Sequence, residues 1–248
     1  METGPITLCI DVGGTSIKVL RCEADGQAID PPLIESTPSP STPSPVLAQI
    51  ADAASRVGSF DRAGFGFPAV VRGGICTRAV NLDTGWQGLD LARELGDLLG
   101  VPVRAANDAD VQGLGCVSGN GLELVLTLGT GIGSAMFLDG TLIPNLELGH
   151  LPWCLPGADK TSFEQELGDA ALKRIGVNAW LDLVPTALAL YQRCLSCDTI
   201  YVGGGNARHL ASLSLPDNVI LIRNDAGLTG GVALWEGIPA NRVIPRLT

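Results

Sequence analysis

Basic residues are scarce in this chain: 16 lysines and arginines stand against 26 aspartates and glutamates, a formal net charge of −10. That balance excludes a general nucleic-acid binder, which needs a basic surface to displace the counterions of its polyanion. A small anionic ligand is still admissible, because glycine loops, helix N-termini and a bound divalent cation hold phosphate on an acidic protein. Long apolar runs are missing too. No stretch approaches the roughly 20 residues of a membrane span, and the N-terminus lacks the basic, apolar and small-residue succession of a secretory signal. A cytoplasmic chain with no membrane partner is expected. Paired cysteine spacings are absent: the seven cysteines are an odd number without a repeat, which argues against a secreted disulfide scaffold. They are expected to be reduced, buried and hydrophobic in character.

What the chain does have is apolar residue, 46% of 248 positions, enough for one large domain or two lobes of ordinary size. Ile6–Ile10 reads as a strand, and Ile17–Cys22 as its return after Asp11-Val12-Gly13-Gly14-Thr15. The two glycines allow a tight turn and close backbone approach; Asp11 is either a turn former or a metal ligand, directly or through water. The run STPSPSTPSP, 36–45, is too proline-rich for helix or interior strand. Val46–Val57 has helical spacing, Ala63–Phe67 reads as a strand, and Arg72-Gly73-Gly74 as a turn. The loop Asn81–Trp86 offers amide donors and an aromatic wall, or simply covers the core with Trp86.

Leu89–Leu99 reads as a helix ended by Gly100, and Val101–Ala105 as a strand leading to Asn107-Asp108 and a helix over Val111–Val117. Asn107 and Asp108 are good cap residues. The same residues at a strand end can bind a hydroxyl and take its proton. Later come a short helix Phe163–Gly168, a long helix Asn178–Cys194 that Pro185 either kinks or opens, a strand Thr199–Val202 running into Gly203-Gly204-Gly205, a strand Val219–Ile222 and a last helix Ala226–Trp235. Cys194-Leu-Ser-Cys197 has the spacing of half a zinc site, but no second pair completes the four ligands.

The densest stretch is Thr127–His150. A buried strand Leu122–Leu128 opens into Gly129-Thr130-Gly131-Ile132-Gly133, then a strand ending at Asp139-Gly140. Such a loop is a phosphate cradle with threonine hydroxyls as extra donors, or a glycine-rich hairpin with no ligand. Glu147 and His150, one of only two histidines, close it.

A DxGGT hairpin, a strand into Asn-Asp, a strand into GTGIG and a strand into GGG occur here in the order, and at about the separations, of the ROK family of sugar kinases. The chain resembles that family over nearly its whole length. The family lies within the actin and hexokinase superfamily, so the resemblance implies an α/β, two-lobed, ribonuclease H-like fold with a central cleft. It implies a small N-terminal lobe over 1–108, with the C-terminal helix packing back on it, and a larger C-terminal lobe over 109–248. A finer similarity is to the polyphosphate glucokinases of that family, carried by GTGIGSA, GTLIPN and ELGH, by the proline-rich TPSPSTPSPV and by NLDTGW.

That similarity implies a kinase of carbohydrate metabolism that moves a phosphoryl group from polyphosphate or ATP to the 6-hydroxyl of glucose, with Asp108 as general base. Asn81, Asn107, Glu147, His150 and Glu164 would bind the sugar, with Gln165 or Glu166 as alternatives to Glu164. Asp11, Gly13, Gly14 and Thr15 would face the donor and its Mg2+, which Asp11 would hold, through water if not directly. Thr127, Gly129, Thr130, Gly131 and Gly133 would form the second phosphate loop, and Gly203, Gly204 and Gly205 would lie near the adenosine of ATP. A polyphosphate track would draw on Lys18, Arg21, Arg72, Arg78 and Arg104. Many ROK proteins carry a cysteine-rich zinc motif after the histidine of ExGH; here Cys154 stands alone, so no structural zinc is expected. The family also implies a homodimer. The alternatives are a non-catalytic sugar-binding ROK protein, although no helix-turn-helix precedes Ile6, and a kinase for mannose or an N-acetylhexosamine.

Overall fold

Strand β1 (Thr7–Val12) is buried along its whole length, which only a central strand covered on both faces can be. In the computed structural model, which describes residues 4–79, 82–153, 161–223, 227–237 and 246, it lies between an antiparallel and a parallel neighbour. The chain divides into two compact units, Met1–Gly115 with Asp225–Pro239, and Cys116–Asn224 with Ala240–Thr248.

In the first unit β2 (Ser16–Cys22) and β3 (Leu33–Ser36) extend the sheet on one side of β1. Helix α1 (Pro43–Ser55) leads to β4 (Arg62–Phe67), a small hairpin of β5 (Val70–Arg72) and β6 (Ile75–Arg78), helix α2 (Leu91–Leu99), β7 (Val103–Asn107) and α3 (Asp108–Leu114). The sheet order is β3-β2-β1-β4-β7, with β1, β4 and β7 parallel. Side chains alternate across β1. Leu8, Ile10 and Val12 join Ile50, Phe65, Trp86, Leu91 and Leu95 in one core, whereas Cys9 joins Leu20, Cys22, Leu228 and Val232 in another. Its hydrogen bond with Cys22, and then burial, hold the Cys9 thiol well above the ordinary range, so it stays protonated.

The second unit has β8 (Leu122–Leu128), β9 (Ile132–Leu138), β10 (Thr141–Ile143), a two-residue pair of β11 (Pro152–Trp153) and β12 (Thr161–Ser162), helices α4 (Phe163–Leu167), α5 (Asp169–Ile175) and α6 (Val177–Leu195), then β13 (Thr199–Gly203) and β14 (Val219–Leu221). Its sheet order is β10-β9-β8-β13-β14, with β8, β13 and β14 parallel. This repeats the first sheet strand for strand. Leu124, Leu126 and Leu128 pack against Trp180, Val184, Leu188 and Tyr191 of α6. Glu123, on the same strand and fully buried, accepts from Ser118 N and Oγ, Gly119 N and the Tyr201 hydroxyl, each at 2.8 Å. A carboxylate that deep is tolerated because its lone pairs are met by donors.

The last helix, α7 (Gly230–Glu236), returns to the first unit and packs on β1, β4 and α3. Small residues make this possible. A Cβ on Gly64 would lie 2.2 Å from Gly231 O, and one on Gly230 would lie 1.8 Å from Val111 O. Arg104 and Arg62 lie over the Trp235 ring at 4.4 and 5.2 Å, and Trp235 Nε1 donates to Ala63 O at 3.2 Å.

Several expectations shift. The helix after Asn107 begins at Asp108 rather than Val111, because the Asn107 side chain caps it, and it packs with β4 and α7. Pro185 sits inside α6 and not in its first turn. The segment after Gly204 is a 3-10 helix, Gly205–Ser212. Strands β3, β5, β6 and β10 are too short for alternation to reveal them. Gly73 and Gly74 at φ 58° and 83°, and Asp139 and Gly140 at φ 47° and 75°, have the left-handed pairs that two-residue hairpin turns demand. No helix among the described residues is long and apolar enough to cross a membrane.

Two outcomes follow from this packing. Gly64→Ala should destabilise the protein by about 1–3 kcal/mol through overpacking against backbone, read from urea denaturation. Burial first, and then Glu123, push the Tyr201 phenol up to about 12. Its unfolded value is about 10, so its contribution is complete below pH ~10 and is lost as pH rises through ~12. The alkaline fall in stability should therefore be shallower in Tyr201→Phe than in the wild type.

Candidate active site

In both units the singled-out residues sit where parallel strands end. Open α/β sheets bind ligands at that edge, because the following loops present backbone N–H groups there. After β1 comes the loop Gly13–Thr15. Gly13 N donates to Ser16 O at 2.8 Å, closing the turn, while Gly13 O accepts from Thr37 Oγ1 at 2.7 Å and Thr15 O from Thr37 N at 3.1 Å. Gly14 and Thr15 are exposed. Asp11, 9% exposed, faces Lys18 across the hairpin, with Nζ 3.2 Å from Oδ2.

Among the described residues no group of three or more His, Cys, Asp or Glu side chains is arranged to hold a metal ion. A lone carboxylate matches magnesium, which keeps several waters and takes phosphate oxygens besides one or two protein ligands. Asp11 therefore fits Mg2+ as an anchor beside a donor, with Lys18 as its neighbour.

After β7, Asn107 is buried and its side chain is engaged: Oδ1 accepts from Ala109 N at 2.9 Å and Asp110 N at 3.2 Å, and Nδ2 donates to Ala69 O at 3.1 Å. Only its second amide hydrogen is left to meet a ligand. The cap reading and the ligand reading thus fall on one side chain, with the cap taking most of it. Asp108 is half-buried and accepts from Ala109 N at 2.9 Å. Asp110, 1% exposed, is shut away, so Asp108 is the carboxylate of this turn that solvent and solutes reach.

In the second unit the loop after β8 is fastened from behind. Gly129 O accepts from Asp169 N at 2.9 Å and from Asn206 Nδ2 at 3.3 Å; Thr130 O accepts from Asp169 N at 3.3 Å. A trans peptide points its C=O and N–H in opposite directions. These bonds therefore turn the Thr130 and Gly131 N–H groups away from Asp169. Gly129 N itself donates to Gly131 O at 3.0 Å, so this glycine supplies room rather than a donor. Thr127 is paired with Gly133 on β9 and with Gly203 on β13, so neither flanking residue covers its side chain.

Ile132 links this loop to the carboxylates. Its N–H donates to Glu164 Oε2 at 3.4 Å, and a Cβ on Gly149 would lie 2.6 Å from its carbonyl oxygen. A Cβ on Gly131 would lie 2.4 Å from Glu164 Oε2, so this glycine is accounted for by Glu164. The neighbours weighed against Glu164 are engaged elsewhere: Gln165 completes a capping box with Ser162, and Glu166 lies 3.6 Å from Arg174. Glu147 and His150 flank a 3-10 turn, Leu148–His150, with Oε2 and Nε2 3.8 Å apart. Ser134, 2% exposed, donates to Leu146 O at 2.6 Å and accepts from Leu148 N at 2.9 Å, holding that turn to β9.

Among the described residues, three glycines without a left-handed φ stand in open space. Gly14, Gly129 and Gly205 lie outside the left-handed φ region, and a Cβ on any of them would meet nothing within 4 Å. Gly204 differs: at φ 88° and with Leu128 backbone 2.4 Å from its Cβ position, it is needed by the turn itself. Of the five basic residues considered for a track, Arg21 is bonded to Asp30, Arg104 lies on Trp235 and Lys18 on Asp11, whereas Arg72 and Arg78 are exposed on the β5–β6 hairpin. Asn81 and Cys154 lie outside the described residues. Cys197 is buried and Cys194 exposed at the end of α6. The contacts of Thr37, Ser134, Asn206 and Asp169 are not legible in the sequence, since each reaches a backbone carbonyl twelve or more positions away.

The sequence profile of the ROK family matches residues 7–158. A polyphosphate glucokinase of Mycobacterium tuberculosis is 34% identical over 237 residues, spanning 89% of this chain and 88% of the relative. Among solved structures, the inorganic polyphosphate/ATP-glucomannokinase of Arthrobacter sp. strain KM is similar with a TM-score of 0.83 at 30% identity, over 93% of this chain and 98% of that one. A ROK family glucokinase from Streptomyces griseus in complex with glucose and AMPPNP has the same fold, with a TM-score of 0.76 at 20% identity over 92% and 98% of the two chains.

The vacant space above three glycines has a direct test. Gly14→Ala, Gly129→Ala and Gly205→Ala should leave stability unchanged or raise it by about 0.4–1 kcal/mol. The Gly14 and Gly129 variants should each weaken the binding of inorganic tripolyphosphate, measured by calorimetry. A thermal midpoint that falls while binding is kept would make these glycines structural.

Proposed function

Since this chain belongs to the ROK family, we propose that it is a hexose kinase that transfers the terminal phosphoryl group of polyphosphate or ATP to the 6-hydroxyl of glucose. The observation that carries this reading is the open space over Gly14 and Gly129, in loops whose carbonyls are tied back so that N–H groups turn outward. Backbone donors with room above them suit a phosphate chain. Two relatives with at least 30% identity over most of this chain bear the names of polyphosphate-dependent sugar kinases.

In this reading Asp108 accepts the proton of the 6-hydroxyl as its oxygen forms a bond to the terminal phosphorus and the phosphorus–oxygen bond to the rest of the donor breaks. The protein's part is positioning and charge neutralisation. Gly14 and Thr15, and Thr127, Thr130 and Gly131, direct donors at the phosphates, while the Gly13 N–H closes its turn on Ser16 O. Asp11 anchors magnesium, which supplies charge neutralisation on the donor oxygens when bound. The second amide hydrogen of the buried Asn107, with Glu147, His150 and Glu164, meets the remaining sugar hydroxyls; the last three are within reach of water and exchange it for hydroxyl at little net cost. Gly205 leaves room for the nucleoside when ATP is the donor. Mannose is the second sugar we assign, on the likeness to the Arthrobacter glucomannokinase.

Purified protein with magnesium, a panel of hexoses and either ATP or polyphosphate should form sugar 6-phosphate from glucose and, more slowly, from mannose. Asp108→Asn should lower turnover by about 10²–10⁴, the usual contribution of a general base, with glucose binding retained. Near-normal turnover in that variant would remove Asp108 from the mechanism, and no product with any pair would favour a non-catalytic sugar-binding protein.

A further inference from the structure

The proline-rich stretch does more than connect β3 to α1. At its head Thr37, half-buried, makes two hydrogen bonds to the first glycine loop, through Oγ1 to Gly13 O and through N–H to Thr15 O. At its foot Ser41 O accepts the indole N–H of Trp86 at 2.8 Å, and a Cβ on Gly85 would lie 3.4 Å from the Pro43 ring. Trp86 is 1% exposed and its ring centroid lies 4.4 Å from that of Phe67, so this foot stands on the core. Pro38 and Pro40 restrict φ at two of the three positions in between, which stiffens the segment, and Pro43 starts α1 just beyond it. One rigid segment therefore grips loop 13–15 at one end and the turn Thr84–Trp86 at the other.

The grip has a directional consequence. The peptide joining Gly13 to Gly14 is planar and trans, so holding its carbonyl against the Thr37 hydroxyl turns the Gly14 N–H to the opposite side. Gly14 is exposed, and a Cβ there would meet nothing within 4 Å, so the backbone at this position is open to approach. Glycine at positions 13 and 14 is freer than any other residue to rotate this peptide, so the backbone alone does not keep the N–H outward. A donor is needed on the carbonyl.

We propose that Thr37 is a positioning residue for the phosphoryl donor: its hydroxyl and N–H hold the Gly13 and Thr15 carbonyls so that the Gly14 N–H is presented to phosphate, with the proline segment bracing it against Trp86. The inference rests on the kinase reading of loop 13–15. Thr37→Val keeps the shape and removes the hydroxyl; Thr37→Ser keeps the hydroxyl. The valine variant should raise KM for the phosphoryl donor and lower kcat by roughly five- to tenfold, the scale of one lost hydrogen bond, with KM for glucose within about twofold of the wild type. Thr37→Ser should restore both. Amide hydrogen exchange in peptides covering 12–17 should quicken in the valine variant and stay unchanged across β8 and β9.

Wild-type donor kinetics in Thr37→Val would overturn the proposal. So would a rise in glucose KM equal to that in donor KM, or a serine variant as impaired as the valine one. If the wild type phosphorylates no hexose, the kinase reading falls by itself. Thr37 is then judged by tripolyphosphate binding in calorimetry: weaker binding by Thr37→Val upholds its role at the loop, and equal binding removes it.

Discussion

A peptide group cannot turn its carbonyl without turning its N–H, and the glycine loops after β1 and β8 depend on that rigidity. In the first, Thr37 holds the Gly13 and Thr15 carbonyls; in the second, Asp169 N and Asn206 Nδ2 hold the carbonyls of Gly129 and Thr130. The scaffold grips each loop by its acceptors and so frees its donors to face outward. Glycine makes the loops small enough for a ligand to approach. The bonds from behind remove the disorder that glycine brings with it.

The two sheets supply the same framework twice. Orders β3-β2-β1-β4-β7 and β10-β9-β8-β13-β14 match position by position, each with a meander leading into three parallel strands. The loops Gly13–Thr15 and Gly129–Gly131 follow the corresponding strands β1 and β8. The parallel arrangement also places Asn107 and Asp108 at the end of β7 and the glycine turn 203–205 at the end of β13, each at the edge where its sheet presents free backbone groups. Polar contacts secure the framework where apolar packing cannot: Glu123, buried on the strand that leads into the second loop, with its four donors, and half-buried Trp235 on the first unit's last helix with two arginines against its ring.

Much of this was legible in the chain itself. The strands read over 6–10, 122–128 and 199–202, which the structure bounds at 7–12, 122–128 and 199–203, the turns at Gly73-Gly74 and Asp139-Gly140, and the placement of Asp11, Asp108 and the three glycine loops at strand ends all follow from periodicity and turn chemistry. Glu164 could be singled out only to within three residues. Its neighbours Gln165 and Glu166 have the same composition signal, and their engagement in a capping box and beside Arg174 is visible only in the structure. Lys18 was one of the candidates for a basic track, and the hairpin register sets it opposite Asp11.

The sequence by itself determined which strands are buried, where the backbone turns and which residue types wait at the strand ends, because these are properties of neighbours within a few positions. Tertiary structure decided which glycines are needed by the fold and which are open. Gly131 and Gly204 are filled by Glu164 and by the Leu128 backbone, whereas nothing stands over Gly14, Gly129 and Gly205. It also decided that Asn107 spends its amide on a helix cap, and that Thr37, 24 residues beyond Gly13, turns the first loop outward. Those outcomes depend on atoms brought together from distant positions, and a carbonyl oxygen that receives them leaves no mark on the identity of its residue.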